Sequence, residues 1–350
     1  MTVQTGQRNL LTDVDGISVG NAEDHAVRTG VTVILPDEAA IAGVDTRGGG
    51  PGTRETDALD PACLVDAVDA VVLSGGSVYG LAAADGVVNY LGAQGRGYRL
   101  GAAEMACPVV PGAILFDLMN GGDKGWGVDP PYRALGTAAC QAAGKDFTLG
   151  NAGAGMGAIA GQVKGGLGSA SIATGDGIQI AALIAVNPFG SVMMPGTNSF
   201  WSWPYEVDGE FGGVRPDTSL SAHGWPADTK AGPDFDAGMS AMQAAATNPA
   251  ANTTIGVVAT NAALTPGEAK RLAIMAQDGL SRAIRPVHTP VDGDTLFSLA
   301  TGRVELADPR PFQLARLGTL AADCVARAVA RGVYEAESIG DIPAYRTLPS

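Results

Sequence analysis

Glycine is the residue that most constrains this chain. Fifty of its 350 residues are glycine, and they cluster in blocks between short apolar runs. Together with 21 prolines they make up about a fifth of the chain. They follow no Gly-X-Y period, which excludes a collagen-like triple helix. Because glycine adopts backbone angles closed to other residues and lets backbones approach one another, these blocks predict many tight turns and close contacts between segments.

The overall composition is that of a folded protein. Hydrophobic residues make up 46% and charged residues 17%, and 350 residues are enough to bury a sizeable core in a single domain. The formal net charge of −14 argues against nucleic acid or an anionic membrane as a partner. The first residues lack the basic and apolar regions of a signal peptide, and no apolar run approaches the roughly 18 residues of a membrane span. We therefore expect a soluble, cytoplasmic protein.

The cysteines and histidines are scattered and form no CxxC pair. They are Cys63, Cys107, Cys140, Cys324, His25, His223 and His288. Such spacing is not that of a metal site, so no metal is expected, and the thiols are interpreted as buried and free in a reducing cytosol.

Apolar runs punctuated by glycine and proline predict the strands. Residues 30–35 and 39–44 form two such runs, close enough to pair as a hairpin. Residues 64–73 are interpreted as a helix running into a strand, and an alanine-rich helix is expected over 78–91, after Ser74-Gly-Gly-Ser77. Later strands are predicted at residues 177–186, 253–260 and 296–301.

Two amphipathic helices are predicted near the end of the chain, over 266–284 and 312–331. The first begins with Thr265 as N-cap and Glu268 three residues later, which is a capping box. Residues 188–252, with three of the four tryptophans and little apolar period, are interpreted as a long surface excursion. The mixture of strands with few helices favours an α/β fold, a layered αββα-type sandwich with mixed sheets.

The usual signatures of hydrolytic chemistry are missing. The sequence contains no GxSxG, no HExxH, no P-loop and no CxxC. An N-terminal Thr or Ser avoids the need for them, because its own α-amine can serve as the base. Inside a chain such a residue arises only by self-cleavage. Asn252-Thr253, at the start of a predicted strand, is a candidate junction, although Asn-Thr dipeptides are common.

Several blocks resemble the P1 family of self-processing N-terminal-nucleophile hydrolases. The family includes the L-aminopeptidase/D-esterases, the β-peptidyl aminopeptidases and the nylon oligomer hydrolases. The matching blocks are GISVGNAED (16–24), TGVTVIL (29–35), GVDTRGGGPGTRETDAL (43–59), VLSGGSVYGLAAADGV (72–87), GNAGAGMGA (150–158), VKGGLGSAS (163–171), NPFG (187–190) and TTIGVVATNAALT (253–265). The Asn-Thr junction and the later Asp-Gly-Asp at 292–294 are most similar to the nylon hydrolase branch.

The resemblance implies a role for each matching residue. Thr253 corresponds to the nucleophile. Lys164 corresponds to a lysine that contacts the nucleophile and lowers the pKa values of its amine and hydroxyl. Asn187 corresponds to the oxyanion-site asparagine, while Asp292 and Asp294 correspond to an acidic pair that orients the lysine and the N-terminal amine.

The resemblance also implies cleavage of the Asn252–Thr253 bond, into an α chain of residues 1–252 and a β chain of residues 253–350 that assemble as a homotetramer of αβ units. It implies no cofactor, and a linear amide such as oligomeric 6-aminohexanoate as substrate. One departure is Phe116, where relatives often place a tyrosine, so a hydroxyl donor from that position is not expected.

Four alternatives stay open. An aminopeptidase or amidase of the same family, acting on α- or β-amino-acid amides, would share the chemistry. An ornithine acetyltransferase-like enzyme also cleaves itself before Thr, but its arrangement of motifs differs. The glycine blocks could cradle phosphate, although they lack a GK[ST] ending. A non-catalytic glycine-rich assembly protein would leave the Lys/Asn/Thr/Asp set unexplained.

Overall fold

Two β-sheets lie face to face, and helices cover their outer faces. The computed structural model describes residues 3–102, 104–217, 228–232 and 252–349. The strands of these residues are β1 (Val3–Gln4), β2 (Ile17–Asp24), β3 (Thr29–Pro36), β4 (Ala40–Thr46), β5 (Thr53–Arg54), β6 (Ala67–Val68), β7 (Val71–Ser74), β8 (Gly112–Ile114), β9 (Ile159–Ala160), β10 (Val163–Lys164), β11 (Gly166–Thr174), β12 (Gln179–Asn187), β13 (Thr253–Ala262) and β14 (Thr295–Val304). The α-helices are α1 (Ala83–Ala93), α2 (Tyr132–Gln141), α3 (Pro266–Ala283) and α4 (Arg310–Tyr334).

Both sheets are mixed. The larger has the order β1-β11-β12-β13-β14-β4-β6, and the smaller has the order β2-β3-β7-β8-β5. Strands β13 and β14 pair in parallel, as do β7 and β8, whereas the other neighbours in these sheets are antiparallel. A separate two-stranded pair, β9 with β10, stands beside them.

Three apolar clusters separate the layers. One lies between the two sheets and includes Leu73 of the small sheet and Val257 of the large one. A second lies between the large sheet and helices α3 and α4. The third lies between the small sheet and helices α1 and α2. This order of layers confirms the predicted αββα sandwich.

The local predictions for the last third of the chain are confirmed. Strands β13 and β14 and helices α3 and α4 stand where the patterns put them, within a few residues. Helix α3 begins with the predicted capping box, in which the Thr265 hydroxyl accepts from the Glu268 amide and the Glu268 carboxylate accepts from the Thr265 amide.

The predicted hairpin of residues 30–35 and 39–44 is wrong. Strand β3 pairs with β2 and β7 in the small sheet, whereas β4 pairs with β14 and β6 in the large one. The short connection between them therefore crosses from one sheet to the other. Both strands are largely buried; β3 pairs with its sequence neighbour β2, whereas β14, a partner of β4, comes from near the end of the chain.

The interpretation of residues 64–73 as helix running into strand is also wrong in its first half. The segment contains the two short strands β6 and β7, and Leu64 is 84% exposed, so an apolar residue here did not mark a helix face.

The described beginning of the predicted surface excursion is partly buried. Phe200 and Phe211 are buried in the cluster under α4, and the Phe200 ring stacks on Tyr345 with centroids 4.4 Å apart. Residues 218–227 and 233–251 of that segment lie outside the described residues.

The thiol prediction is half right. All four cysteines are free, and Cys140 and Cys324 are buried, but Cys63 and Cys107 are exposed. Among the described residues, no helix is both long enough and apolar enough to cross a membrane.

Candidate active site

The predicted site residues converge at one edge of the large sheet. Thr253 is the first residue of β13 and pairs with Asn187, the last residue of β12. Asp292 and Asp294 stand in the loop that leads into β14, the strand parallel to β13. Lys164 closes β10 just before β11, whose first residue pairs with the residue next to Asn187. Strand ends that meet at one edge thus bring together residues far apart in sequence.

Thr253 is buried next to the peptide bond that precedes it. Its side chain is 2% exposed, and its hydroxyl donates to the carbonyl oxygen of Asn252. The backbone N–H of Gly293 donates to the same oxygen at 2.9 Å. Two donors on one carbonyl draw electron density from its carbon, which is the atom a hydroxyl would attack.

Gly293 is required by this close approach. A Cβ at this position would lie 2.7 Å from Oγ1 of Thr253 and 2.8 Å from the carbonyl oxygen of Gly50. The glycine therefore lets the loop reach the nucleophile candidate with its backbone amide.

Asp292 is completely buried and anchors its own loop. Its carboxylate accepts from the backbone N–H groups of Phe189 (3.0 Å) and Thr289 (3.1 Å) and from the Thr289 hydroxyl (2.5 Å). Burial, and then the neighbouring Asp294 carboxylate, raise the pKa of Asp292.

Asp294 ties the loop to the strand that carries Thr253. One carboxylate oxygen accepts from the Thr254 amide at 2.8 Å, and the other accepts from the His288 amide at 3.1 Å and lies 2.9 Å from Nδ1 of His288. Within the part of the chain that the structure describes, neither aspartate bonds to Lys164. The carboxylates instead accept from the backbone amides of Phe189, Thr254, His288 and Thr289, and the role of the acidic pair in orienting the lysine and the N-terminal amine stays a prediction.

Lys164 is fully buried, and among the described residues no carboxylate bonds to its ammonium. Its ammonium donates to the carbonyl oxygens of Gly155 (2.9 Å) and Gly165 (2.7 Å). Burial lowers the pKa of Lys164 to about 7, and the Asp117 carboxylate only partly offsets this. No bond joins Lys164 to Thr253 in the described residues. The lysine is thus poised to lose its proton near neutral pH, rather than standing as a permanent charge.

Asn187 is held by bonds at both ends of its side-chain amide. Its Oδ1 accepts from the Ile159 amide (2.9 Å) and from the ammonium of Lys230 (3.2 Å). Its Nδ2 donates to the main-chain carbonyl of Phe116 at 3.1 Å. Phe116, which has no hydroxyl, thus contributes its backbone to the site.

A cavity of about 240 Å³ opens beside the Asn252–Thr253 bond. Its polar lining residues are Asp117, Asn120, Gln162, Asn187, Lys230 and Asn252. The buried side-chain amide of Asn252 has no hydrogen-bond partner among the described residues. The cavity is large enough for a short linear substituent and adjoins the bond that the family would cleave.

Sequence reasoning missed three participants, namely Lys230, His288 and Gly293. Lys230 falls in the segment interpreted as a surface excursion, yet it is partly buried, and burial lowers its pKa to about 7. The sequence gives one signal for Lys230, because lysine is rare: only five of its 22 lysines and arginines are lysines. His288 was treated as one of the scattered histidines, and nothing in its spacing revealed the bond to Asp294.

Comparison with known proteins places the chain among amide hydrolases. The profile of Peptidase family S58 matches residues 9–344. An uncharacterised aminopeptidase of Mycobacterium tuberculosis is 43% identical over 357 residues, which covers 97% of this chain and 98% of that protein. A 6-aminohexanoate-oligomer endohydrolase of Kocuria sp. is 33% identical over 310 residues, covering 86% of this chain and 78% of that protein.

Solved structures share the fold. That of an L-aminopeptidase D-Ala-esterase/amidase from Ochrobactrum anthropi, described as a variant of the Ntn hydrolase fold, has a TM-score of 0.68 at 22% identity and covers 98% of this chain and 90% of that chain. A β-aminopeptidase from Burkholderia sp. has a TM-score of 0.66 at 22% identity, covering 98% and 91%. The resemblance and the type of activity expected from the sequence blocks are confirmed, which argues against a non-catalytic assembly protein. The chain therefore belongs to peptidase family S58, is an amide-bond hydrolase, and shares the fold of an Ntn hydrolase variant.

Proposed function

We propose that this protein cuts its own Asn252–Thr253 bond and then uses Thr253 as an N-terminal nucleophile on amide substrates. The observation that carries the proposal is the arrangement at this bond. The Thr253 hydroxyl is bonded to the carbonyl of the bond to be cut, and the Gly293 amide donates to the same oxygen. Both groups are buried, so water does not compete for them.

The self-cleavage begins with an N→O acyl shift. Oγ1 of Thr253 forms a bond to the carbonyl carbon of Asn252 while the C–N bond breaks, and the proton of the hydroxyl ends on the released amine. The Gly293 N–H stabilises the negative charge on the carbonyl oxygen in between. Water then hydrolyses the ester and leaves residues 1–252 with a new carboxylate and Thr253 with a free amine.

In the mature enzyme the free amine of Thr253 takes the proton of its own hydroxyl as that oxygen attacks the substrate amide. The amine returns the proton to the leaving group, and water releases the acyl group. The Asn187 amide is the proposed donor to the substrate oxyanion, and the buried Lys164 favours a neutral amine whenever it is itself charged. Asp292 and Asp294 hold the loop that places the Gly293 amide.

The substrate class we favour is the amide of an amino acid or short peptide. Relatives named aminopeptidases support it, at 43% identity along nearly the whole chain. The second candidate is a 6-aminohexanoate oligomer, which the Asn-Thr junction and the 33% identical oligomer endohydrolases support. A cavity of about 240 Å³ accommodates either a short side chain or part of an unbranched methylene chain.

Self-cleavage is tested by electrophoresis of purified protein. The 35.2 kDa chain should separate into bands of roughly 25 and roughly 10 kDa, in proportion to their lengths. N-terminal sequencing of the smaller band should begin at Thr253. Thr253→Ala should remain near full length and hydrolyse nothing. A variant that still splits at this bond would refute the assignment of the nucleophile.

The two substrate classes are separated by parallel assays with an amino-acid p-nitroanilide and a capped 6-aminohexanoate oligomer, with Thr253→Ala as the blank. Faster release from the p-nitroanilide supports the aminopeptidase assignment, and faster cleavage of the oligomer reverses it. The homotetramer of αβ units remains a prediction, which light scattering of the mature protein can check.

A further inference from the structure

The segment before the cleavage site sends a lysine into the candidate active site. Lys230 lies in residues 228–232, and its backbone N–H donates to the carbonyl of Phe189 at 3.1 Å. Its side chain runs inward, and its ammonium lies 3.2 Å from Oδ1 and 3.4 Å from the backbone oxygen of Asn187. The same lysine lines the cavity beside the Asn252–Thr253 bond.

Taking an ammonium even partly out of water costs free energy unless hydrogen bonds or an opposite charge compensate for the lost hydration, and Lys230 is partly buried. Lys230 has no hydrogen-bonded carboxylate among the described residues, and the charge of Asp292 only partly offsets the effect of burial on its pKa. Within the described part of the chain, both hydrogen bonds of its ammonium go to Asn187. This concentration on one side chain indicates where the lysine acts.

We propose that Lys230 is a positioning residue, which holds Oδ1 of the Asn187 amide and so keeps its N–H group presented as a donor. The inference rests on the proposed function, since it assigns Asn187 to the substrate oxyanion.

Hydrogen-bond donors and acceptors around Asn187 decide the orientation of its side-chain amide. The terminal torsion of an asparagine has broad, weak preferences, so its partners decide which end of the amide points where. Ile159 N–H and the ammonium of Lys230 are both donors, so the end that faces them must be Oδ1. The Nδ2 group is thereby directed to the opposite side, where it meets the Phe116 carbonyl. A cation on the oxygen of the amide also polarises its N–H bonds, which makes them stronger donors.

The test is a double-mutant cycle on mature, two-chain enzyme. Lys230→Met, Asn187→Ala and the double variant are assayed with whichever of the p-nitroanilide and the oligomer the wild type hydrolyses faster. Asn187→Ala should lower kcat about 100-fold, as expected for loss of an oxyanion donor. Lys230→Met should lower kcat about 10-fold with little change in KM, because the oxyanion forms only in the transition state.

The kcat of the double variant decides whether Lys230 acts through Asn187. If Lys230 acts through Asn187, the double variant has the kcat of Asn187→Ala within about two-fold. If Lys230→Met costs another 10-fold in the Asn187→Ala background, the inference is overturned. Lys270→Met, at a lysine whose side chain is 43% exposed, controls for the loss of a lysine as such.

A second measurement does not need activity. In crystals of the uncut Thr253→Ala chain, adding Lys230→Met should let the Asn187 amide rotate so that Nδ2 moves beyond hydrogen-bond distance of the Phe116 carbonyl. An unchanged amide with both remaining bonds intact would refute the positioning role. A wild type that hydrolyses neither amide would instead refute the proposed function, and this crystallographic comparison would still decide the role of Lys230.

Discussion

Gly293→Ala is the sharpest test of the geometry around Thr253. A Cβ at position 293 would lie 2.7 Å from Oγ1 of Thr253, whereas an ordinary contact begins near 3.4 Å, so the two groups must separate by about 0.7 Å. The loop cannot retreat to the other side, because the Gly50 carbonyl oxygen would lie 2.8 Å from the same Cβ and Cα of Pro51 3.2 Å from it. The hydroxyl, or the amide that faces the scissile carbonyl, has to move instead.

The expected magnitude follows from that displacement. A misplacement of about 1 Å at a reacting centre costs on the order of 100-fold in rate, so self-cleavage of Gly293→Ala should be about 10- to 100-fold slower than in the wild type. The half-life of the full-length band after a pulse of cell-free translation measures it. In the uncut Thr253→Ala chain, which lacks Oγ1, the remaining overlap with the Gly50 carbonyl oxygen should still lower the free energy of unfolding by about 1–3 kcal/mol, measured by urea unfolding.

Gly267→Ala is the matched control. This glycine lies in the first turn of α3, and a Cβ there would meet nothing within 4 Å. Its self-cleavage should keep the wild-type rate. If folded Gly293→Ala matures as fast as the control, cleavage does not start from the position that the Thr253 hydroxyl has in the structure.

Three further predictions concern stability and inhibitors. Lys164 has a lowered pKa of about 7 in the folded protein, well below the ordinary lysine value. Between these two pH values, Lys164 of the uncut Thr253→Ala chain binds fewer protons in the folded state than in the unfolded state, so the free energy of unfolding rises with pH. Lys164→Met should remove about 1.4 kcal/mol per pH unit of that rise between about pH 7 and pH 9, measured by urea unfolding, and an unchanged slope would contradict a buried lysine. Thr265→Ala should cost about 1 kcal/mol of the same free energy through loss of the capping box, and a change below about 0.3 kcal/mol would show that the cap contributes little. Iodoacetamide should modify the exposed Cys63 and Cys107 without abolishing hydrolysis, and EDTA should leave hydrolysis intact, whereas inhibition reversed by one metal would contradict the Thr253 mechanism.

Much of the local structure could be predicted from the sequence alone. The capping box at Thr265, the β-branched run of β13 and the amphipathic pattern of α4 are local signals, because each depends on residues within a few positions of one another. The blocks around residues 43–59 and 253–265 likewise indicate the family without any information on tertiary contacts. They also named residues that the fold then brings to one edge of the large sheet, as with Thr253 opposite Asn187.

Only the tertiary structure decided which strands become neighbours. The runs at 30–35 and 39–44 are adjacent in sequence, but their best partners lie in different sheets, and a strand pattern does not say which other strand will pair with it. The sandwich likewise decided that Phe200 is buried, since its neighbour Tyr345 comes from the other end of the chain.

The same reason explains the electrostatics of the site. A lysine in a glycine-rich loop and a lysine in an irregular segment look solvated in sequence, yet Lys164 is buried and Lys230 is partly buried, and both pKa values fall to about 7. The sequence alone determined which chemical groups are present. The depth of burial, which sets their protonation and their hydrogen-bond partners, arises only when the two sheets and their connecting loops pack together.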